Sequence, residues 1–149
     1  MNTDLRALYE DVILDHNRNP RNFQHKPEGY THEAYGFNPL CGDEFKVYLK
    51  VEEGIVTDVG FEGVGCAISV ASTSLMTEAI KGKPLEEVEG LFASVHHLLT
   101  GEGEEKAPLG KLQVLSGVHE FPMRVKCATL GWHVMKAALE HRKETVCTE

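Results

Sequence analysis

The chain has 149 residues, 42% of them hydrophobic, and a net charge of −8. That length fits one domain, residues 1–149, able to bury a core without disulfide staples. The acidic balance argues against a nucleic-acid binder, which needs a basic face to displace counterions, and no run of about 18 apolar residues offers a membrane span.

Met1-Asn2-Thr3-Asp4-Leu5 lacks the basic and apolar regions of a signal peptide, so a cytoplasmic protein is expected. Thiols stay reduced there, and clustered cysteines then favour metal binding or catalysis over cross-links. Residues 4–16 read as a helix: Leu5, Leu8, Tyr9, Val12 and Ile13 recur at three- and four-residue spacing. Thr3 or Asp4 caps it and Asn19-Pro20 ends it. His16 falls in the polar turn that follows and reads as a helix-end cap in preference to a ligand. A loop over 23–30 and a short strand over 31–37 come next.

Phe45, Val47, Leu49 and Val51 alternate with Glu44, Lys46 and Lys50, the period of a half-buried strand. After the turn Glu52-Glu53-Gly54, Ile55, Val59 and Phe61 are expected on one side of a second strand. The two form an antiparallel hairpin. Helices are predicted over 67–81, stopped by Gly82 and Pro84, over 85–99, and from Pro122 to about Arg142, where proline suits the first turn. Val125, Ala128, Trp132, Met135 and Leu139 make the last helix's buried stripe. Residues 101–106 read as an acidic loop, 109–121 as a short helix with irregular chain, and the tail around Cys147 as frayed. The fold class is α+β: a small antiparallel sheet of about three strands with helices packed on one face.

Three of the four cysteines stand in settings that suit a metal-bound thiolate. Cys41 lies in the turn Asn38-Pro39-Leu40-Cys41-Gly42-Asp43, Cys66 follows Gly63-Val64-Gly65, and Cys127 lies near the start of the last helix. Cys41 precedes the hairpin and Cys66 follows it, and a hairpin returns to the end it left, so these two thiols are expected to meet. Three thiolates and the Asp43 carboxylate make a four-ligand set for zinc or for an iron–sulfur cluster. Asp43 reads alternatively as a turn cap. As a ligand it is harder and more labile than a thiolate, which eases exchange. Helix N-termini at Cys66 and Cys127 are expected to lower both thiol pKa values, with backbone N–H groups of Gly42, Gly63 and Gly65 offsetting the negative charge. Adjacent His96 and His97 point apart on a helix and do not read as paired ligands. Trp132 reads as core.

These motifs carry a resemblance. Asn38-Pro39-Leu40-Cys41-Gly42-Asp43, Gly63-Val64-Gly65-Cys66-Ala67-Ile68-Ser69 and Arg124-Val125-Lys126-Cys127-Ala128-Thr129-Leu130 resemble, in order, the three cysteine motifs of the IscU/SufU family (NifU N-terminal domain-like), which assembles iron–sulfur clusters. The likeness runs over nearly the whole chain. It is nearer the SufU branch, because Lys126 stands where IscU proteins carry a histidine and residues 101–121 look like the SufU insertion. The segment Glu120-Phe121-Pro122-Met123-Arg124 does not reproduce the IscU chaperone motif, so an Hsp70-type chaperone is not expected as a partner. The resemblance implies zinc held by Cys41, Asp43, Cys66 and Cys127, with Cys41 accepting sulfur from the persulfide of a SufS-type cysteine desulfurase. In that scheme a histidine of the desulfurase takes the place of Cys41 on zinc, and the protein works with the desulfurase in place of acting as a stand-alone enzyme. Arg124 is expected either to touch the site or the partner or to be a structural residue on the surface of the last helix. The alternatives are a scaffold that builds a [2Fe–2S] cluster on the same ligands and passes it to a downstream carrier or apo-protein, and a zinc-stabilised interaction module without sulfur chemistry.

Overall fold

The computed structural model describes residues 3–141 and 145–148, with side chains from residue 10 onward except 119 and 120. The side chains of Thr3, Asp4, Leu5, Leu8 and Tyr9, and all of Arg142, lie outside the described residues. Chain order is α1 (Thr3–Arg18), β1 (His32–Asn38), β2 (Asp43–Glu52), β3 (Ile55–Val64), α2 (Ala67–Ile80), α3 (Leu85–Thr100), a 3₁₀ helix (Gly110–Glu120), α4 (Pro122–Leu139) and β4 (Val146–Cys147). The sheet order is β3-β2-β1-β4. The first three strands are antiparallel, as the expected fold class has them, and β4 adds a short parallel edge to β1. The tail is therefore paired where fraying was expected: Cys147 lies opposite Phe37, and the Thr148 amide donates to the Phe37 carbonyl at 3.2 Å.

One row of β2 faces the helices: Asp43, Phe45, Val47 and Leu49 are all buried. Because side chains alternate, Asp43 belongs to the same row as the core residues and is drawn inward at the sheet's end. On β3 the expected row is displaced. Val56, Val59 and Phe61 are buried and Ile55 is 40% exposed. Val51 pairs with Val56 while Lys50 pairs with Asp58, which leaves Thr57 as an extra residue. One inserted residue flips every side chain beyond it to the other face.

Helix α4 lies against β1 and β2 and is buried nearly all round, including Ala128, Leu130, Trp132, Val134, Met135 and Ala138, a wider contact than one stripe. Its approach to β1 depends on Gly36, where a Cβ would lie 2.5 Å from Val134 Cγ2. Cys127 is seven residues before Val134. That is two turns, about 10 Å along the same helix face, and it carries Cys127 to the end of the sheet where Asp43 sits. Helix α2 is tied to α4 by Ser72 Oγ, which donates to the Ala128 carbonyl at 2.7 Å. The 3₁₀ helix replaces the expected irregular chain and buries Leu112, Val114, Leu115 and Val118. Leu91, Val95 and Leu99 of α3 are likewise core. Trp132 is 1% exposed, as expected of a core residue. No described helix is long and apolar enough to cross a membrane.

Candidate metal centre

The turn between β1 and β2 presents Cys41. Asn38 and Asp43 are cross-strand partners at its base, and Gly42 takes a left-handed φ of 71° that lets the chain reverse between Cys41 and Asp43. Asn38 Oδ1 accepts from the Leu40 amide at 3.0 Å and braces the turn from within. On the neighbouring strand, Glu44 pairs with Val64, so Cys66 emerges beside Asp43. The Cys66 amide donates to Asp43 Oδ1 at 2.7 Å, and its thiol lies 3.9 Å from Asp43 Oδ2. Cys66 is also the N-cap of α2, and its sulfur accepts from the Ser69 amide at 3.5 Å.

Cys41 Sγ, an Asp43 carboxylate oxygen and Cys127 Sγ all lie within 4.8 Å of one another. Cys66 stands outside this trio and joins it through Asp43. Tetrahedral zinc, with Zn–S bonds of about 2.3 Å, spaces its sulfurs about 3.8 Å apart, a separation inside the 4.8 Å that Cys41, Asp43 and Cys127 span. The donor set, three soft sulfurs and one carboxylate, fits zinc or an iron–sulfur cluster.

Exposure divides the trio. Asp43 and Cys127 are buried, whereas Cys41 is half-buried. Burial pushes the Cys127 thiol up from its ordinary pKa; its hydrogen bond with Cys41 and the charges of Cys66 and Asp43 push the same way. The helix-start argument therefore fails for Cys127. It lies in the second turn of α4, beyond the free amides, and its thiol points back to the Met123 carbonyl at 3.7 Å. Cys66, by contrast, stands at the N-cap of α2, where its sulfur meets the Ser69 amide.

The expected glycine contribution also takes another form. The amides that reach the acidic groups belong to Cys66 and Ser69. Gly63 and Gly65 act through their missing side chains: a Cβ would fall 2.1 Å from the Glu44 carbonyl oxygen at Gly63 and 2.7 Å from Phe45 Cζ at Gly65.

Arg124, on the first turn of α4, bears on the site. Charge at Cys66 raises its pKa above the ordinary guanidinium value; partial burial opposes this and Cys127 adds to it. Around the thiols, Leu40, Val64, Phe121 and Met123 are 50–69% exposed and form an apolar collar. The sequence signal for the collar was an apolar residue within a few positions of each motif cysteine. A surface hollow of about 470 Å³ opens at Asn38, Pro39, Gly42 and Asp43. His16 lies elsewhere, buried between α1 and α2 with Nδ1 2.7 Å from Ser74 Oγ. It is thus a side-chain anchor, where a helix-end cap was expected. His96 packs against Phe92 and His133, away from the thiols.

The NifU-like N-terminal domain model matches residues 8–147. The chain is 40% identical over 139 residues to the zinc-dependent sulfurtransferase SufU of Bacillus subtilis, covering 91% of each protein. It is 40% identical over 135 residues to the iron–sulfur cluster assembly scaffold protein IscU of Thermotoga maritima, covering 91% of this chain and 94% of that one. A crystal structure from Fervidobacterium islandicum, described as an iron–sulfur cluster assembly scaffold protein for the SUF system, superposes with a TM-score of 0.79 at 33% identity over 90% of this chain and 98% of that one. The fold, the order of the cysteine motifs and these likenesses agree: the chain belongs to the NifU-like N-terminal domain family, among the SufU and IscU proteins of iron–sulfur cluster assembly.

Proposed function

We propose that this protein, as one cytoplasmic domain over residues 1–149, is a zinc-bound sulfur acceptor for a SufS-type cysteine desulfurase, with Cys41 as the accepting thiol. The observation that carries this reading is the uneven exposure of the cluster: Cys41 is the member of the trio that solvent reaches. All four cysteines are free thiols, in keeping with a reducing compartment.

Cys41, Asp43, Cys66 and Cys127 would hold the zinc. Zinc bound there would supply positive charge that holds its thiol ligands deprotonated. The released Cys41 thiolate attacks the terminal sulfur of the desulfurase persulfide. A new S–S bond forms at Cys41, the donor's S–S bond breaks, and the donor cysteine leaves as a thiolate with the bonding electrons. No external oxidant or reductant is required. Arg124 offers its charge to an incoming persulfide, and the apolar collar offers area for the partner to cover.

Adding this protein is expected to raise desulfurase turnover, and Cys41→Ala should abolish the stimulation while the circular dichroism spectrum stays unchanged. A Cys41→Ala protein that stimulates normally rules Cys41 out as acceptor. The scaffold reading draws on the IscU relatives; it requires a [2Fe–2S] cluster that forms anaerobically on these residues and passes to an apo-ferredoxin.

A further inference from the structure

Two polar atoms beside the thiol cluster are buried without a hydrogen-bond partner among the described residues, Asn38 Nδ2 and Ser69 Oγ. Asn38 is 1% exposed and Ser69 fully buried. A buried donor without a partner has lost its water and gained nothing in return, and native folds keep few of them. The orientation of the Asn38 amide follows from its other end. Its Oδ1 accepts from the Leu40 amide, so the NH₂ is the group left over. Asn38 is the direct cross-strand partner of Asp43, and such partners project to one face with Cβ atoms about 4.5–5.5 Å apart.

Ser69 approaches from the α2 side. A Cβ on Gly65 would lie 2.9 Å from Ser69 Oγ and 3.1 Å from Asp43 Oδ1, so both oxygens border one small gap. The Ser69 amide is already engaged with Cys66 Sγ, and its hydroxyl is not. Both leftover groups are donors, and both flank the cluster's carboxylate.

We propose that Asn38 and Ser69 are positioning residues whose NH₂ and OH are reserved for the anionic, metal-loaded form of the Cys41–Asp43–Cys66–Cys127 cluster. This rests on the zinc reading above. Three thiolates and a carboxylate exceed the charge of one divalent cation, so the loaded site is a net acceptor of hydrogen bonds. Donors to ionised acceptors are roughly twice as strong as neutral ones. Contacts of this kind orient ligands and commonly change metal affinity by about 10–100-fold. The two donors would thus find partners in the loaded state, while the metal-free fold tolerates them unpaired.

Zinc affinity by chelator competition and the melting temperature of the metal-free full chain test this together. Ser69→Ala deletes the hydroxyl and keeps the amide that serves Cys66. Asn38→Asp keeps an oxygen for the Leu40 amide and replaces the NH₂ with a second oxygen. Each variant is expected to bind zinc at least about tenfold more weakly, with shifted sulfur-to-metal charge-transfer bands in the cobalt-substituted protein. Metal-free Ser69→Ala should melt no lower than wild type, because its hydroxyl has no partner to lose. Variants that bind zinc as tightly as wild type overturn the inference, as does a metal-free Ser69→Ala that melts clearly lower. A wild-type chain that takes up neither zinc nor cobalt instead overturns the zinc reading itself, and this inference with it.

Discussion

His16 shows how one buried side chain makes stability depend on pH. Ser74 Oγ accepts from the Arg21 amide at 2.8 Å, which leaves its proton for His16 Nδ1, 2.7 Å away. Burial first, then the positive charges of Arg21 and Lys111, lower the imidazole pKa from 6.5 to about 4; Glu78 and Asp15 oppose this only in part. The native state therefore refuses a proton that the unfolded chain accepts. With the folded pKa depressed, the stability is fully present above 6.5 and is lost as pH falls from there toward about 4. By pH 5 the loss should reach about 2 kcal/mol. His32, which burial also lowers, contributes to the same slope, so the useful quantity is a difference between proteins. Urea midpoints at pH 7 and pH 5 should drop further for wild type than for His16→Gln. Parallel drops would mean that His16 is not the group responsible.

Among the elements, the packing of α2 against α4 fixes the helix ends that carry Cys66 and Cys127. Gly131 permits it: a Cβ there would stand 2.2 Å from Thr73 Oγ1 and 2.9 Å from Thr73 Cβ. Thr73 has little room to yield, since its hydroxyl donates to the Ser69 carbonyl at 2.9 Å. Gly131→Ala should therefore push the helices apart and cost the metal-free protein about 1–3 kcal/mol, read as a lower urea midpoint with an unchanged slope. No change in midpoint would show that the crossing has slack. This contact was illegible in the sequence, because nothing local records which residue of another helix a glycine will meet. What was legible follows from local rules. Strand alternation set the β2–β3 hairpin and the core-facing Phe45, Val47 and Leu49, though Asp43 was read as preceding that row, and the glycine-rich segment before Cys66 marked the start of α2. Errors arose where one residue changes the phase. Thr57 shifted β3, and counting from Pro122 puts Cys127 past the first turn of α4. Asn38 and Ser69 were visible only as motif letters, since an unsatisfied atom is a property of the packed interior.

At the scale of the molecule, the thiol cluster sits at one end of the core and meets it through the buried Asp43 and Cys127. Phe45, Phe61, Leu75, Leu115, Leu130 and Trp132 are buried between sheet and helices, whereas the cluster occupies the end of the sheet, where Cys41 is half-buried. A structural zinc module depends on its ion for folding, since binding supplies about 10–16 kcal/mol of apparent free energy that the apo chain lacks. Here the cluster of buried apolar side chains is continuous from sheet to helices without any of the cysteines. Stripping metal with a chelator should leave the far-ultraviolet circular dichroism spectrum and a cooperative melt intact. The midpoint should fall by an amount that grows with the zinc concentration it is compared against, as linkage requires of a ligand bound only by the native state. The turn from Asn38 to Asp43 and the start of α2 should show the largest increase in amide exchange, because there Asp43 and Cys66 join segments distant in sequence. Global unfolding on chelation would contradict this division and favour an ion that serves the fold, leaving Cys41 with no freedom to depart from it.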